Sequence, residues 1–66
     1  MECQIHIIKS AQGWAAKSSD ATIETLVGEN KNMVVRRAEE LARQIFGHAI
    51  LFIHGLDGRI LEKRAI

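Results

Sequence analysis

The stretch HGLDGRILEKR, from His54 to Arg64, gathers side chains that could do chemistry: an imidazole, two carboxylates, two glycines and three cations. A loop that cradles phosphate leads into a helix N-terminus, where free backbone N–H groups meet the anion. This stretch leads instead into an alternating, strand-like pattern. Asp57-Gly58 between two apolar strands is a strong hairpin signal. We therefore interpret Gly55, Asp57 and Gly58 as a structural turn of type I′.

The histidines and the single cysteine suggest two further chemistries. His6 and His54 could share a metal ion if the sheet brought them together, but two imidazoles without a third ligand make a weak zinc site. Cys3 could be a nucleophile beside His6 or His54, but no pattern that would activate its thiol is visible. We therefore predict no catalytic residue, no metal site and no cofactor.

Most of the chain has the pattern of short strands separated by turns. Alternating apolar residues and β-branched residues predict strands at 3–10, 14–19, 22–27, 48–54 and 59–66. The fourth of these is apolar on both faces, which is typical of a central or covered strand. The fifth carries lysine and arginine and is typical of a sheet edge.

One helix is predicted between the third and fourth strands. Apolar residues recur from Val34 to Phe46 at a spacing of 3.6 residues, and charged residues cover the opposite face. Asn30 is the expected N-cap, with Asn32 as the alternative. Gly47 follows the helix where a left-handed C-cap residue is expected.

The element order and the length of 66 residues define the expected fold. The order β-β-β-α-β-β predicts an α+β fold, with a small antiparallel β-sheet and one amphipathic helix packed on one face. We expect a single compact domain over residues 1–66. A chain this small often gains stability from a disulfide, a metal or a second subunit. One cysteine allows no intrachain disulfide, so a second subunit is the most available source.

Composition argues against several classes of protein. The formal net charge of +1 contrasts with the strongly basic balance that is usual for nucleic-acid-binding domains. The longest apolar run, AILFI, is too short to span a membrane. The start, MECQIHIIK, lacks the pattern of a secretory signal. We expect a cytoplasmic protein.

Three segments together resemble a family of very short bacterial proteins, domain-of-unknown-function family 2188. They are GWAAK, the helix pattern VV..A..LA, and LFIHGLDGRI. The resemblance runs without gaps from Trp14 to Ile60 and implies the strand–helix–hairpin layout, but no activity. It departs from the family at the helix start, where Met33 and Val34 stand, and between Ile23 and Val27, which is more apolar. The matching positions are Gly13, Trp14, Ala15, Ala16, Lys17, Val34, Val35, Ala38, Ala42, His54, Gly55, Asp57, Gly58 and Ile60.

The sequence favours a small non-enzymatic protein that acts by binding, as a self-associating protein-interaction module. A single helix leaves one sheet face uncovered, and an exposed apolar patch usually marks an interface. The candidate interface residues are Ile8, Leu26, Leu51 and Ile53, and the expected assembly is a homodimer with no membrane contact.

The alternative function is nucleic-acid binding through basic residues of the last hairpin or the helix. The candidate contacts are Arg59, Lys63 and Arg64, with Lys9 or Lys17 as additions. Acidic residues nearly cancel this charge, so a solvated face is the simpler interpretation. Trp14 is expected in the core with its indole N–H at the rim, and the alternative is an exposed anchor for a partner or a base.

Overall fold

A computed structural model describes residues 3–19 and 25–66 of the chain. The elements confirm the predicted order and the α+β class. Part of the predicted third strand, residues 22–24, lies outside the described residues. The elements are β1 (Cys3–Ser10), β2 (Gly13–Ser18), β3 (Leu26–Gly28), α1 (Lys31–Phe46), β4 (Ala49–His54) and β5 (Ile60–Ala65).

The five strands form one sheet in the order β3-β2-β1-β4-β5. β1 pairs antiparallel with β2, and β4 pairs antiparallel with β5. β1 and β4 are parallel, so the sheet is mixed and the antiparallel prediction is wrong at this pair. The cause is the path of the chain: β1, β2 and β3 alternate in direction, and α1 then returns the chain so that β4 begins at the same end as β1.

The core lies between the sheet and α1. Ile5, Ile7 and Leu51 are the largest fully buried side chains, and they lie side by side on β1 and β4. The helix contributes Val34 and Ala38 to the same cluster. Because side chains alternate along a strand, the residues between these buried positions lie on the opposite face of the sheet.

Both ends of α1 are capped as the sequence predicts. The Oδ1 of Asn30 accepts hydrogen bonds from the backbone N–H groups of Asn32 and Met33, at 2.9 Å and 3.3 Å. Gly47 has φ 80°, and its N–H donates to the carbonyls of Ala42 and Arg43. Asn30 rather than Asn32 is therefore the N-cap residue.

The turn between β4 and β5 differs from the predicted type I′ geometry. The N–H of Gly58 donates to the carbonyl of Gly55 at 3.1 Å, and the N–H of Gly55 donates to the carbonyl of Arg59 at 2.8 Å. Gly58 has φ 86°, whereas no described non-glycine residue, Asp57 included, has a positive φ. This pattern is a type I turn followed by a glycine in the left-handed region. It is the common form of a three-residue hairpin loop, which is one residue longer than the predicted type I′ loop. The Asp57 carboxylate accepts from the Arg59 N–H at 3.1 Å.

Candidate binding surface

The sheet face that points away from α1 is called the open face below. Most of its side chains are apolar, and among the described strand residues it carries two lysines and no carboxylate. Ile8, Ile50 and Phe52 are half-buried there. The open face includes Gln4, His6, Ile8, Ala15, Lys17, Val27, Ile50, Phe52, His54, Lys63 and Ala65.

A row of four side chains crosses the middle of the open face. Lys17 is the direct partner of His6, His6 of Phe52, and Phe52 of Lys63. These residues come from β2, β1, β4 and β5, which are successive strands of the sheet. Neighbouring strands lie about 4.8 Å apart, so the row places a cation at each end of an aromatic pair.

The two rings of this row stack against each other. The ring centroids of His6 and Phe52 are 4.9 Å apart, and the planes differ by 13°. The Nζ of Lys63 lies 5.8 Å from the Phe52 centroid. The imidazole and the ammonium therefore occupy the faces of Phe52, and the open face presents the edges of these rings to a partner.

His6 and His54 form a hydrogen-bonded pair beside the row. The Nδ1 of His6 lies 3.0 Å from the Nε2 of His54. The Nδ1 of His54 lies 2.9 Å from the carbonyl oxygen of Gly58. A carbonyl oxygen only accepts, so His54 carries its proton on Nδ1 and, in the neutral ring, accepts at Nε2 from His6. The pair is thus oriented by the backbone of the β4–β5 turn.

The described residues contain no group of three or more side chains that could hold a metal ion. The structure brings His6 and His54 together, and supplies no third ligand from the part of the chain that it describes. Cys3 is buried, with its Sγ 3.2 Å from the Oγ of Ser18. It lies on the helix side of β1, whereas His6 lies on the open face, so the two do not form a nucleophile–base pair.

The predicted interface set needs correction at β4. Leu51 and Ile53, with 0% and 5% of their surface exposed, lie in the core opposite Ile5 and Ile7. Leu26 also packs against that core, which leaves Ile8 as the one predicted member on the open face. The residues that sequence reasoning missed are Ile50 and Phe52.

The predicted nucleic-acid contacts lie on different surfaces. Lys17 and Lys63 are on the open face. Arg64 lies on the helix side of β5, where it donates to Glu62 at 2.8 Å and to Glu39 of α1 at 2.7 Å. Its hydrogen bond to Glu62 lowers the pKa of that carboxyl, and bonds to Glu62 and Glu39 raise the pKa of Arg64. Arg64 is therefore already engaged with carboxylates.

Two further basic candidates, Arg59 and Lys9, also have partners. Arg59 lies 3.4 Å from the Asp57 carboxylate in the exposed turn. The Nζ of Lys9 is 5.7 Å from the ring centroid of Trp14, and that of Lys31 is 4.7 Å from it. Trp14 is half-buried and packs against the core, so its ring lies beside two cations on the helix side of the sheet.

Two shallow grooves lie on the surface of the protein. One, of about 340 Å³, runs between α1 and β5 and is lined mostly by charged residues, including Lys31, Glu39 and Arg64. The other, of about 290 Å³, lies beside β3 and includes Leu26 and Met33. Their volumes are at the lower limit for ligand pockets. Within the described residues, no helix is long and apolar enough to cross a bilayer.

The strand order and the single helix define this chain as a small α+β protein. A model of the family described as "Uncharacterized protein conserved in bacteria (DUF2188)" matches residues 5–66. The chain belongs to this family, as its sequence pattern indicates. Comparison with curated proteins and with solved structures gave no match.

Proposed function

We propose that this chain is a non-enzymatic, self-associating protein-interaction module, formed by residues 1–66, whose partner binds the open face. The observation that carries the proposal is a sheet face that no described helix covers: α1 packs on one face only, while Ile8, Ile50 and Phe52 remain half-buried on the other. Their surface is removed from water only when something binds there, which is the physical reason that exposed apolar patches mark interfaces.

The charges of the open face indicate the chemistry of the partner. Lys17 and Lys63 flank the apolar centre, and no carboxylate from the described strands neutralises them there. A complementary protein surface would place apolar side chains over Ile50 and Phe52 and carboxylates near the two lysines, since complementary charges favour association and exclude wrong partners. The buried, unpaired thiol of Cys3 fits a reducing compartment, and we propose a cytoplasmic location.

A matched pair of substitutions tests this surface. Ile50→Lys adds a charge to the open face, and Ile45→Lys makes the same change on α1, where Ile45 is 49% exposed. Tagged wild type and both variants are incubated with bacterial lysate, with and without nuclease, after circular dichroism has shown that each is folded. A protein retained by wild type and Ile45→Lys, and lost with Ile50→Lys, is the expected result. Equal retention by both variants would refute the open-face site.

Nucleic acid is a second candidate, favoured by the two lysines of the open face, which no carboxylate of the described strands neutralises there. Phosphate contacts release counterions, so binding would weaken steeply as salt is raised. Nuclease-sensitive recovery that Lys17→Glu and Lys63→Glu each abolish would favour this candidate. The occupied faces of Phe52 argue against base stacking, which needs a free ring face.

A further inference from the structure

β5 is an edge strand of the described sheet. β4 is its neighbour on one side, and no described strand pairs with it on the other. The helix packs over β1, β2, β3 and β4 and does not cover β5. Ile60 and Leu61 at its start are 55% and 66% exposed. A six-residue edge with exposed apolar side chains is a template for pairing with another strand.

The hydrogen bonds to β4 determine which backbone groups of β5 are free. Ile66 and Ala49 exchange both N–H to carbonyl bonds, at 3.0 Å and 3.4 Å. Such two-way pairs recur at every second residue of an antiparallel ladder, so Arg64 and Glu62 bond to β4 in the same way. The N–H and carbonyl groups of Lys63 and Ala65 therefore point outward.

We infer that β5 pairs antiparallel with β5 of a second copy, an inference that rests on the self-association proposed above and specifies its site. The two copies would be related by a twofold axis perpendicular to the sheet. Outward-pointing groups must then face each other, so Lys63 or Ala65 cannot lie opposite Glu62 or Arg64 of the second copy. Within the charged segment this leaves three alignments, with the axis at Glu62, at Lys63 or at Arg64.

Charge selects one of these three alignments. Each of the three axes places one charged residue opposite its own copy. With the axis at Glu62 or at Arg64, no pair of opposite charges forms across the two strands. An axis at Lys63 places Glu62 opposite Arg64 of the second copy, and does so twice. Opposite charges that face each other stabilise a strand pair, and like charges destabilise it. The same alignment sets the exposed Leu61 beside Ala65 of the second copy.

With this axis Lys63 lies opposite Lys63 of the second copy, and the position of its ammonium group reduces the repulsion between them. Its Nζ is turned toward β4, 5.8 Å from the Phe52 centroid, and thus away from the free edge. The pairing also keeps both helices on one side of the joined sheet. The two open faces then form one continuous surface on the other side, available to the partner proposed above.

A backbone substitution tests the edge. Lys63→Pro removes an outward N–H without touching the ladder to β4, and proline is tolerated at such edge positions. Lys63→Val is the matched control, because it removes the charge and the long side chain as proline does but keeps the backbone N–H. Sedimentation equilibrium over a range of concentrations should show a dimer for wild type and for Lys63→Val. For Lys63→Pro the dissociation constant should rise about tenfold or more, which corresponds to 1.4 kcal/mol.

Charge reversal tests the register. Glu62→Arg alone opposes arginines across the axis, and Arg64→Glu alone opposes glutamates, so each variant should dimerise more weakly than wild type. A mixture of the two restores opposite charges at both contacts. Native mass spectrometry of the mixture should therefore show a heterodimer in excess over both homodimers.

The outcomes separate this inference from the proposed function. A wild-type monomer at all concentrations overturns both the β5 pairing and self-association, and leaves partner binding at the open face to the Ile50→Lys test. A dimer that Lys63→Pro does not weaken overturns the β5 edge while self-association stands. A dimer weakened by Lys63→Pro whose charge variants show no preference for the heterodimer overturns the register.

Discussion

The Nδ1 of His6 and the Nε2 of His54 lie 3.0 Å apart on adjacent strands, and the carbonyl oxygen of Gly58 decides which of them donates. This carbonyl requires a proton on the Nδ1 of His54. His54 therefore accepts from His6, and the Nε2 of His6 is left with a lone pair. A turn residue thus sets the tautomer of a histidine on β1, through one intermediate ring.

We predict that His6 and His54, when their rings are neutral, both carry the proton on Nδ1. Nitrogen-15 spectra of the neutral imidazoles should show this directly. An Nε2–H form of His54 would contradict the arrangement. His54→Leu removes the acceptor of the His6 N–H and should lower the free energy of unfolding by about 1 kcal/mol, the cost of a lost, partly buried hydrogen bond.

The pair of Glu62 and Arg64 makes stability depend on pH. The hydrogen bond from Arg64 lowers the pKa of Glu62 in the folded chain. A lowered carboxyl pKa stabilises the fold above the ordinary value for glutamate, and this contribution is lost as the pH falls through the lowered value. Wild type should therefore melt higher than Glu62→Gln at neutral pH, and the difference should vanish in acid.

The pH experiment is best made in a Lys63→Pro background, so that pairing of β5 does not contribute. Both side chains are well exposed, so added salt should reduce the difference by screening. A melting difference that persists unchanged below the titration of Glu62 would contradict the assignment to this ion pair.

Local patterns in the sequence predict the elements because each depends on neighbouring residues. The alternation at Ile5 and Ile7 places β1, and Asn30 and Gly47 place both ends of α1. The turn at Asp57 is also local, but its type depends on how β4 and β5 approach each other. The sequence therefore indicates the hairpin and not the negative φ of Asp57.

The candidate site is harder to predict because it depends on which face of β4 the helix covers. Ile50 and Phe52 alternate with Leu51 and Ile53, and both sets are apolar. The parallel pairing with β1 places Leu51 beside the buried Ile5, so Leu51 and Ile53 are the pair that lies in the core. Arg64 is a similar case, since its partner Glu39 is 25 residues away on α1 and no local pattern joins them.

The role of Asn30 as the N-cap of α1 can be tested with Asn32 as the control. Asn30→Ala removes the side-chain oxygen that accepts from the N–H groups of Asn32 and Met33, and should lower the free energy of unfolding by about 1 kcal/mol. Asn32→Ala changes the same residue type two positions on, inside the helix, and should cost less because alanine is the better helix former. Urea unfolding measures both, and equal losses would show that Asn30 does not act as the cap.

Substitution of Gly13 and Gly47 by alanine distinguishes two destabilising effects of a side chain at positive φ: backbone strain, and steric overlap with neighbouring atoms. Gly13 has φ 131°, and a Cβ there would overlap the carbonyl oxygen of Gly28 and lie 2.7 Å from the Cα of Glu29, which are backbone atoms of β3 and its end. Gly47 has φ 80° and open space where a Cβ would lie. Gly47→Ala should therefore cost only backbone strain, about 1 kcal/mol. Gly13→Ala must also push β3 away from β2, and we expect a loss of at least about 2 kcal/mol. Urea unfolding of the two variants checks this order, and a Gly13→Ala protein as stable as Gly47→Ala would show that β3 does not approach Gly13 closely.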